Sequence, residues 1–225
     1  MDSPDFWNQA ENEIRRYDLL THRFYQSWSR GRLTRSEIGY YGWQYLEHVA
    51  AFPTYLTRLH SRLPEGDMRR AILSNAAAEE IEGLNHADLW RQFVFAIDVE
   101  SPPVSTVLPE IRRLVETYHD LARNGAPAAA LGSFYAYESQ VPRIAEEKIQ
   151  GLLRFFAADE VVCEYFTLHA KVDASHALVW HRLIDQLIEE DSNNGPLALE
   201  GLVRGARALW QALDGIEVAR HRLPR

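Results

Sequence analysis

Residues 158–189 read ADEVVCEYFTLHAKVDASHALVWHRLIDQLIE, and this stretch decides the fold. Its pattern predicts one long helix that ends at the turn signal Asp191-Ser-Asn-Asn-Gly195. Within it stands His169-Ala-Lys-Val-Asp173-Ala-Ser-His176. At about 100° per residue, positions i, i+4 and i+7 fall within about 60° of one another on one helical face. Tyr165, one turn earlier, continues that stripe, whereas Cys163 lies about 120° off it by the same geometry.

Outward from this segment the chain reads as helices throughout. Ser3-Pro4 offers an N-cap with a proline at the first helical position, opening a helix to about Ser29 that Gly31 breaks. Thr34-Arg-Ser-Glu37 is a capping box for a helix to about Arg62, with a bend expected at Pro53. A third helix is expected over Asp67 to Ile97, ended by the loop Ser101-Pro102-Pro103. A fourth runs from Pro109 to the Asn124-Gly125 signal, and a fifth from Pro127 to Phe156 with a kink at Pro142. The segment at 158–189 is the sixth, and a seventh starts at Pro196 and fades before the basic tail from Arg220. Neither period-2 alternation with hairpin turns nor a low-complexity linker interrupts this pattern. The expected architecture is therefore an all-α bundle of seven helices in a single domain, 1–225.

Composition narrows the function classes. Apolar residues at 46% and charged residues at 25% are globular values, which excludes collagen-like and disordered chains. Lys+Arg 24 against Asp+Glu 32 gives a net charge of −8, so no broad nucleic-acid surface is expected. With Cys163 alone, neither an intramolecular disulfide nor a thiolate zinc site can form. No apolar stretch approaches the roughly 20 residues of a membrane span. Nor does the opening segment have the apolar core of a signal peptide. A cytoplasmic location without membrane contact follows as the expectation.

Two further segments supply ligand-type residues. Glu79-Glu80-Ile-Glu82-Gly-Leu-Asn-His86 puts both Glu79 and Glu82 on the face of His86; spacing alone favours Glu82, and a helix opened near Gly83 would let Glu79 reach. Glu138, in Tyr135-Ala-Tyr137-Glu138-Ser-Gln-Val-Pro142-Arg143, sits among aromatic and small residues, where a lone carboxylate is costly to bury. Its partner is either Arg143 or a metal. Carboxylates and imidazoles without sulfur suit iron or manganese. None of these ligand-type residues forms a Glu-x-x-His pair, so the ferritin-like di-iron pattern, which needs that pair on two helices, does not apply.

The order Glu-x6-His, Glu, His-x3-Asp-x2-His resembles the haem-oxygenase-like di-metal oxidases. These share a seven-helix bundle with the PqqC-type cofactor-biosynthesis proteins and the TenA-type thiaminases. The stretches His22-Arg-Phe-Tyr25-Gln-Ser-Trp28, Ala51-Phe-Pro53-Thr-Tyr55-Leu, Asn85-His86-Ala-Asp88-Leu-Trp90, Tyr137-Glu138-Ser-Gln-Val-Pro-Arg143 and Tyr165-Phe-Thr-Leu-His169 are similar to one branch, the CADD-type para-aminobenzoate synthases. The similarity runs over about residues 14–190.

The resemblance implies metal ligands at Glu79, His86, Glu138, His169, Asp173 and His176, which resolves the choice between Glu79 and Glu82 against the spacing preference. It implies two metal ions, Fe/Fe or Mn/Fe, with O2 as co-substrate and an external electron donor. It implies a homodimer, and para-aminobenzoate made for folate with the ring taken from a tyrosine of the protein itself. That tyrosine matches Tyr25; Tyr137 and Tyr165 match other site tyrosines, and Lys148 matches the proposed amine donor. On an ideal helix Lys148 points about 80° away from Glu138, so it turns inward only if Pro142 rotates the register. The alternatives are a di-iron oxidase of an external small molecule and a metal-free PqqC-like protein.

Overall fold

The computed structural model describes residues 1–80, 85–97 and 106–223. Among these residues there are ten α-helices and no strand. They are α1 (Ser3–Arg16), α2 (Arg23–Ser29), α3 (Arg35–His60), α4 (Asp67–Glu80) and α5 (His86–Ile97). The rest are α6 (Pro109–Asn124), α7 (Pro127–Glu138), α8 (Val141–Phe156), α9 (Glu160–Glu190) and α10 (Asn194–Arg220). The all-α expectation holds, while three of the seven expected helices are divided.

Each division has a local cause. Between α1 and α2, the Asp18 side chain accepts from the Leu20 amide and starts a short 3-10 turn, Leu19–Thr21. His22 then caps α2 by accepting the Phe24 amide on Nδ1. Before α5, Asn85 Oδ1 accepts the amides of Ala87 and Asp88, a new N-terminus rather than a continuation. The expected helix opening at Gly83 and the loop Ser101-Pro102-Pro103 lie outside the described residues. At the third division, α7 closes at Glu138 and α8 restarts with Pro142 in its first turn. Proline has no N–H to offer the carbonyl four residues back, so the ladder stops there.

Other expectations hold at their ends. The Thr34/Glu37 capping box is formed, and α3 continues through Pro53. The cap of α1 is Asp2 rather than Ser3, its carboxylate accepting the Asp5 amide.

Packing positions the site. α7 and α10 cross with their backbones in direct approach, because a Cβ at Gly201 would be driven into the Ala129 carbonyl and one at Gly132 into the Ala198 carbonyl. This clamp fixes α7, and with it Glu138, against the centre of the bundle. α9 lies against α4, α5, α7 and α8, so its His169–His176 stripe meets the ends of α4, α5 and α7. Trp28 of α2 fills the space left by Gly151 of α8 and donates its indole N–H to the Lys148 carbonyl, which docks the Tyr25 helix onto α8.

Candidate metal centre

All six ligand-type residues converge in the interior, each more than nine-tenths buried. Glu79 ends α4, His86 begins α5, Glu138 ends α7, and His169, Asp173 and His176 form one stripe of α9. Helix ends bring carboxylates to a point where a continuous helix would carry them past it. Two overlapping groups result. In Glu79, His86 and His169 one donor atom from each lies within 4.8 Å of the others, and the same holds for Glu79, Glu138, Asp173 and His176. Glu79 belongs to both groups.

Hydrogen bonds orient the donors. His169 Nδ1 faces its own-helix carbonyl at Tyr165 at 2.7 Å, so this nitrogen donates and Nε2 keeps its lone pair for a ligand. His86 Nδ1 lies 2.7 Å from Glu79 Oε2, and His176 Nδ1 lies 3.2 Å from Glu138 Oε1. Trp180, fully buried, donates its indole N–H to the other Glu138 oxygen. Arg143 takes no part: it pairs with Asp18 at 3.4 Å, which removes it as the partner of Glu138.

Charges in this dry volume interact strongly. Burial raises the Glu138 carboxyl above its ordinary value despite the His176 and Trp180 hydrogen bonds. Burial, then the charges of Glu138 and Glu79, raise Asp173 well above the carboxylate range. Burial alone would raise Glu79 too, but the hydrogen bond from His86 and the three nearby imidazoles hold it low. His169 is pushed down to about 4, chiefly by burial, so its imidazole is neutral and its Nε2 lone pair can be offered to an ion.

The donor set fits a buried metal site. Among the described residues Asp173 Oδ1 is buried with no hydrogen-bond partner, and the three carboxylates share the site with imidazoles but with no lysine or arginine. A buried oxygen of this kind calls for a cation. Three carboxylates against two divalent ions leave about +1 charge, and an all-N/O set suits iron or manganese.

Beside the cluster the four remaining expected site residues surround a narrow cavity of about 20 Å³, lined by Tyr25, Tyr137, Lys148 and Tyr165 together with His169. Tyr165 stacks on His169 with centroids 3.9 Å apart. Tyr137 borders both this cavity and a smaller one, about 10 Å³, that reaches Glu79, Glu138 and Asp173. Lys148 points inward, because the α7–α8 break turns its helix as the Pro142 argument required. Its Nζ lies 4.9–5.8 Å from the rings of Tyr25, Trp28, Tyr41, Trp90 and Phe166. Among the described residues a single hydrogen bond, to Tyr41 Oη at 2.7 Å, serves a group that needs three acceptors as an ammonium. Burial accordingly drives Lys148 well below its ordinary value.

Two participants escaped the sequence reading. Tyr41 touches both Tyr25 and Lys148, and its signal was the α3 face Ile38, Tyr41, Tyr45, His48, Phe52 and Tyr55. Trp180 lies eleven residues after His169, only about 20° off the same stripe. Glu82 is outside the described residues. Cys163 lines a separate surface groove with Ile149, Leu153 and Lys171. Among the described residues no helix is long and apolar enough to cross a membrane.

Residues 40–210 match the family described as iron-containing redox enzymes. A 4-aminobenzoate synthase of Chlamydia muridarum is 35% identical over 216 residues, covering 95% of this chain and 89% of that protein. One from Nitrosomonas europaea is 34% identical over 223 residues, covering 94% and 90%. Among solved structures, a TenA homologue from Pseudomonas syringae superposes with a TM-score of 0.80 at 18% identity, over 96% of this chain and 92% of that one. A TenA homologue from P. horikoshii does so at 0.68 and 13%, over 98% and 99%. The chain belongs to the haem-oxygenase-like family of iron-containing redox enzymes, among the relatives of the 4-aminobenzoate synthases.

Proposed function

We propose that this protein is an O2-dependent di-metal oxidase that forms 4-aminobenzoate for folate synthesis, drawing the ring from its own Tyr25 and the amine from Lys148. Glu79, His86, Glu138, His169, Asp173 and His176 would hold the two ions, Fe/Fe or Mn/Fe. Bound there, such a pair reduces O2 at the expense of an external reductant and supplies an oxidant for a phenol.

The chain's own residues do the rest. The ring cage around Lys148 buries its amine and favours the neutral form, which has a lone pair to give. Tyr25 is kept as a phenol, its ionisation suppressed by burial, and its Oη is held 3.2 Å from Tyr41 Oη. Lys148 Nζ is thereby fixed 5.3 Å from the Tyr25 ring centroid. Tyr165, stacked on His169, and Tyr137 lie between that ring and the donor cluster as groups able to pass an electron.

One observation carries the reading. The cavity between the donors and Tyr25 measures about 20 Å³, where roughly 10–15 Å³ is needed for a single water. O2 or water fits that volume, and an external aromatic or fatty substrate does not, while Tyr25 and Lys148 already line it.

The test is intact-protein mass spectrometry after loading with iron or manganese plus iron, reduction and exposure to air. The wild-type chain should lose mass at Tyr25 and release 4-aminobenzoate, and Tyr25→Phe should release none. Equal release from Tyr25→Phe would assign the activity to an external substrate.

A further inference from the structure

The walls of the chamber beside Tyr25 and Lys148 are not equally firm. Tyr45 on α3, Trp90 on α5, Tyr137 on α7, Ile144 on α8 and Phe166 on α9 all stand on α-helices. Among the described lining residues Leu19 alone lies outside one, in the three-residue 3-10 turn Leu19–Thr21. That turn keeps Leu19 buried, while Leu20 is half-buried and Thr21 is exposed. Little fastens it to the opposite wall. The Leu19 amide donates to Gln140 Oε1 at 3.0 Å, and Arg143 meets Asp18 at 3.4 Å in a largely exposed pair, which is weak by nature. Gln140 is itself buried at the α7–α8 break, where its Nε2 donates to the Ala136 carbonyl at 2.9 Å.

A chamber of about 20 Å³ holds roughly one water-sized sphere. O2 has to enter it, and a benzene ring carrying an amine and a carboxylate neither fits nor leaves unless a wall moves. An α-helical wall resists, because displacing one side chain drags a ladder of backbone hydrogen bonds with it. A single 3-10 turn has poorer hydrogen bonds and few of them, so it yields first. Both ends of the Gln140 amide are committed, which fixes the oxygen that Leu19 needs. A leucine at 140 would fill much the same space and leave the buried Leu19 amide without its acceptor.

We infer that the chamber opens at Leu19: this side chain is its stopper, and Gln140 is the positioning residue that holds the stopper shut. What passes, O2 inward and 4-aminobenzoate outward, rests on the reading of Tyr25 and Lys148 as ring and amine. The passage itself is tested without that chemistry, because the chain contains two lysines, Lys148 inside the chamber and Lys171 exposed on α9. Cyanate supplies a small probe for both. The amine lone pair adds to the carbon of isocyanic acid, a proton moves to its nitrogen, and no group leaves.

The full chain is incubated anaerobically with potassium cyanate, and peptide mass spectrometry gives carbamylation of Lys148 relative to Lys171. Leu19→Ala and Gln140→Leu should each raise that ratio several-fold. Phe166→Leu enlarges the chamber from the α9 side without touching the turn, and should keep the wild-type ratio. Deuterium exchange in the same samples should show the Leu19 amide several-fold faster in Gln140→Leu, with α10 unchanged. A wild-type ratio in Leu19→Ala or Gln140→Leu, an equal rise in Phe166→Leu, or exchange rising equally in α10 overturns the gate. Labelling as expected, with no 4-aminobenzoate from the metal-loaded, reduced and aerated wild type, supports the gate and overturns the chemistry assigned to Tyr25 and Lys148.

Discussion

Lys148 Nζ stands 2.7 Å from the phenol oxygen of Tyr41, and among the described residues no other hydrogen bond holds this buried amine. Tyr41 Oη is also 3.2 Å from Tyr25 Oη, so one hydroxyl joins the proposed amine source to the proposed ring source. Tyr41→Phe strips both neighbours of their partner. An unpaired buried polar group costs about 1–3 kcal/mol, so urea denaturation should find this variant destabilised by that order. Its 4-aminobenzoate yield should fall as well, because Tyr25 and Lys148 lose their common anchor.

Lys148 also gives the fold a pH dependence of definite sign. Burial lowers its folded value, while the unfolded chain keeps the ordinary value near 10.4. The unfolded state therefore binds the extra proton, and stability rises with pH between the folded value and about 10.4. The contribution is complete above about pH 10.4 and is lost as pH falls toward the folded value. Lys148→Met removes that slope and, by ending the desolvation cost, should raise the midpoint of urea denaturation at neutral pH while abolishing product. An unchanged slope in Lys148→Met would show the amine to be charged in the fold.

How much of this site could be read from sequence followed from how local each determinant is. The α9 stripe His169, Asp173, His176 was legible because a 3.6-residue period fixes it without reference to any other segment. Glu79 against Glu82 was not, since the answer depends on where α4 ends relative to α9. Lys148 was undecidable for a related reason: its direction is set by the break at Ser139 and Gln140, and a continuous helix would have turned it away. Tyr25 required the capped turn at Asp18 and His22, a backbone device that helix periodicity does not register. Helix content came from patterning, while the convergence of helix ends that builds the cluster is tertiary.

His22 ties that turn to pH. Its Nδ1 accepts the Phe24 amide at 3.1 Å and its Nε2 faces Asp214 at 3.1 Å, so the neutral ring donates from Nε2 and caps the Tyr25 helix. Burial lowers its value, outweighing the Asp214 hydrogen bond and charge. Stability from this group is present above the ordinary histidine value of about 6.5 and is lost as pH falls through the folded value. His22→Ala should cost on the order of 1 kcal/mol at neutral pH, the worth of a helix cap. The gap from wild type should narrow on acidification, as judged by urea denaturation at several pH values.

Glu79 stands in both donor groups, whereas His176 stands in one. Metal analysis of Glu79→Ala should therefore find both ions lost, and His176→Ala should retain the ion held by Glu79, His86 and His169. Ions bound only by the folded state raise its stability by mass action. The wild type should gain melting temperature when iron(II) or manganese(II) is added anaerobically, His176→Ala should gain less, and Glu79→Ala nothing.

Asp173 separates the demands of folding from those of binding. Its Oδ1 has no hydrogen-bond partner, and burial together with the Glu138 and Glu79 charges penalises its ionised form. Asp173→Asn keeps the shape and removes the charge, so the chelator-treated protein should become more stable, by about 1–3 kcal/mol in urea denaturation. The same change deletes one anionic ligand from the proposed metal site, so affinity for iron should fall and the melting-temperature gain on adding metal should shrink. Opposite signs in the two conditions are what a cation site predicts. A structural carboxylate would lose stability in both, and a solvent-facing one would change in neither.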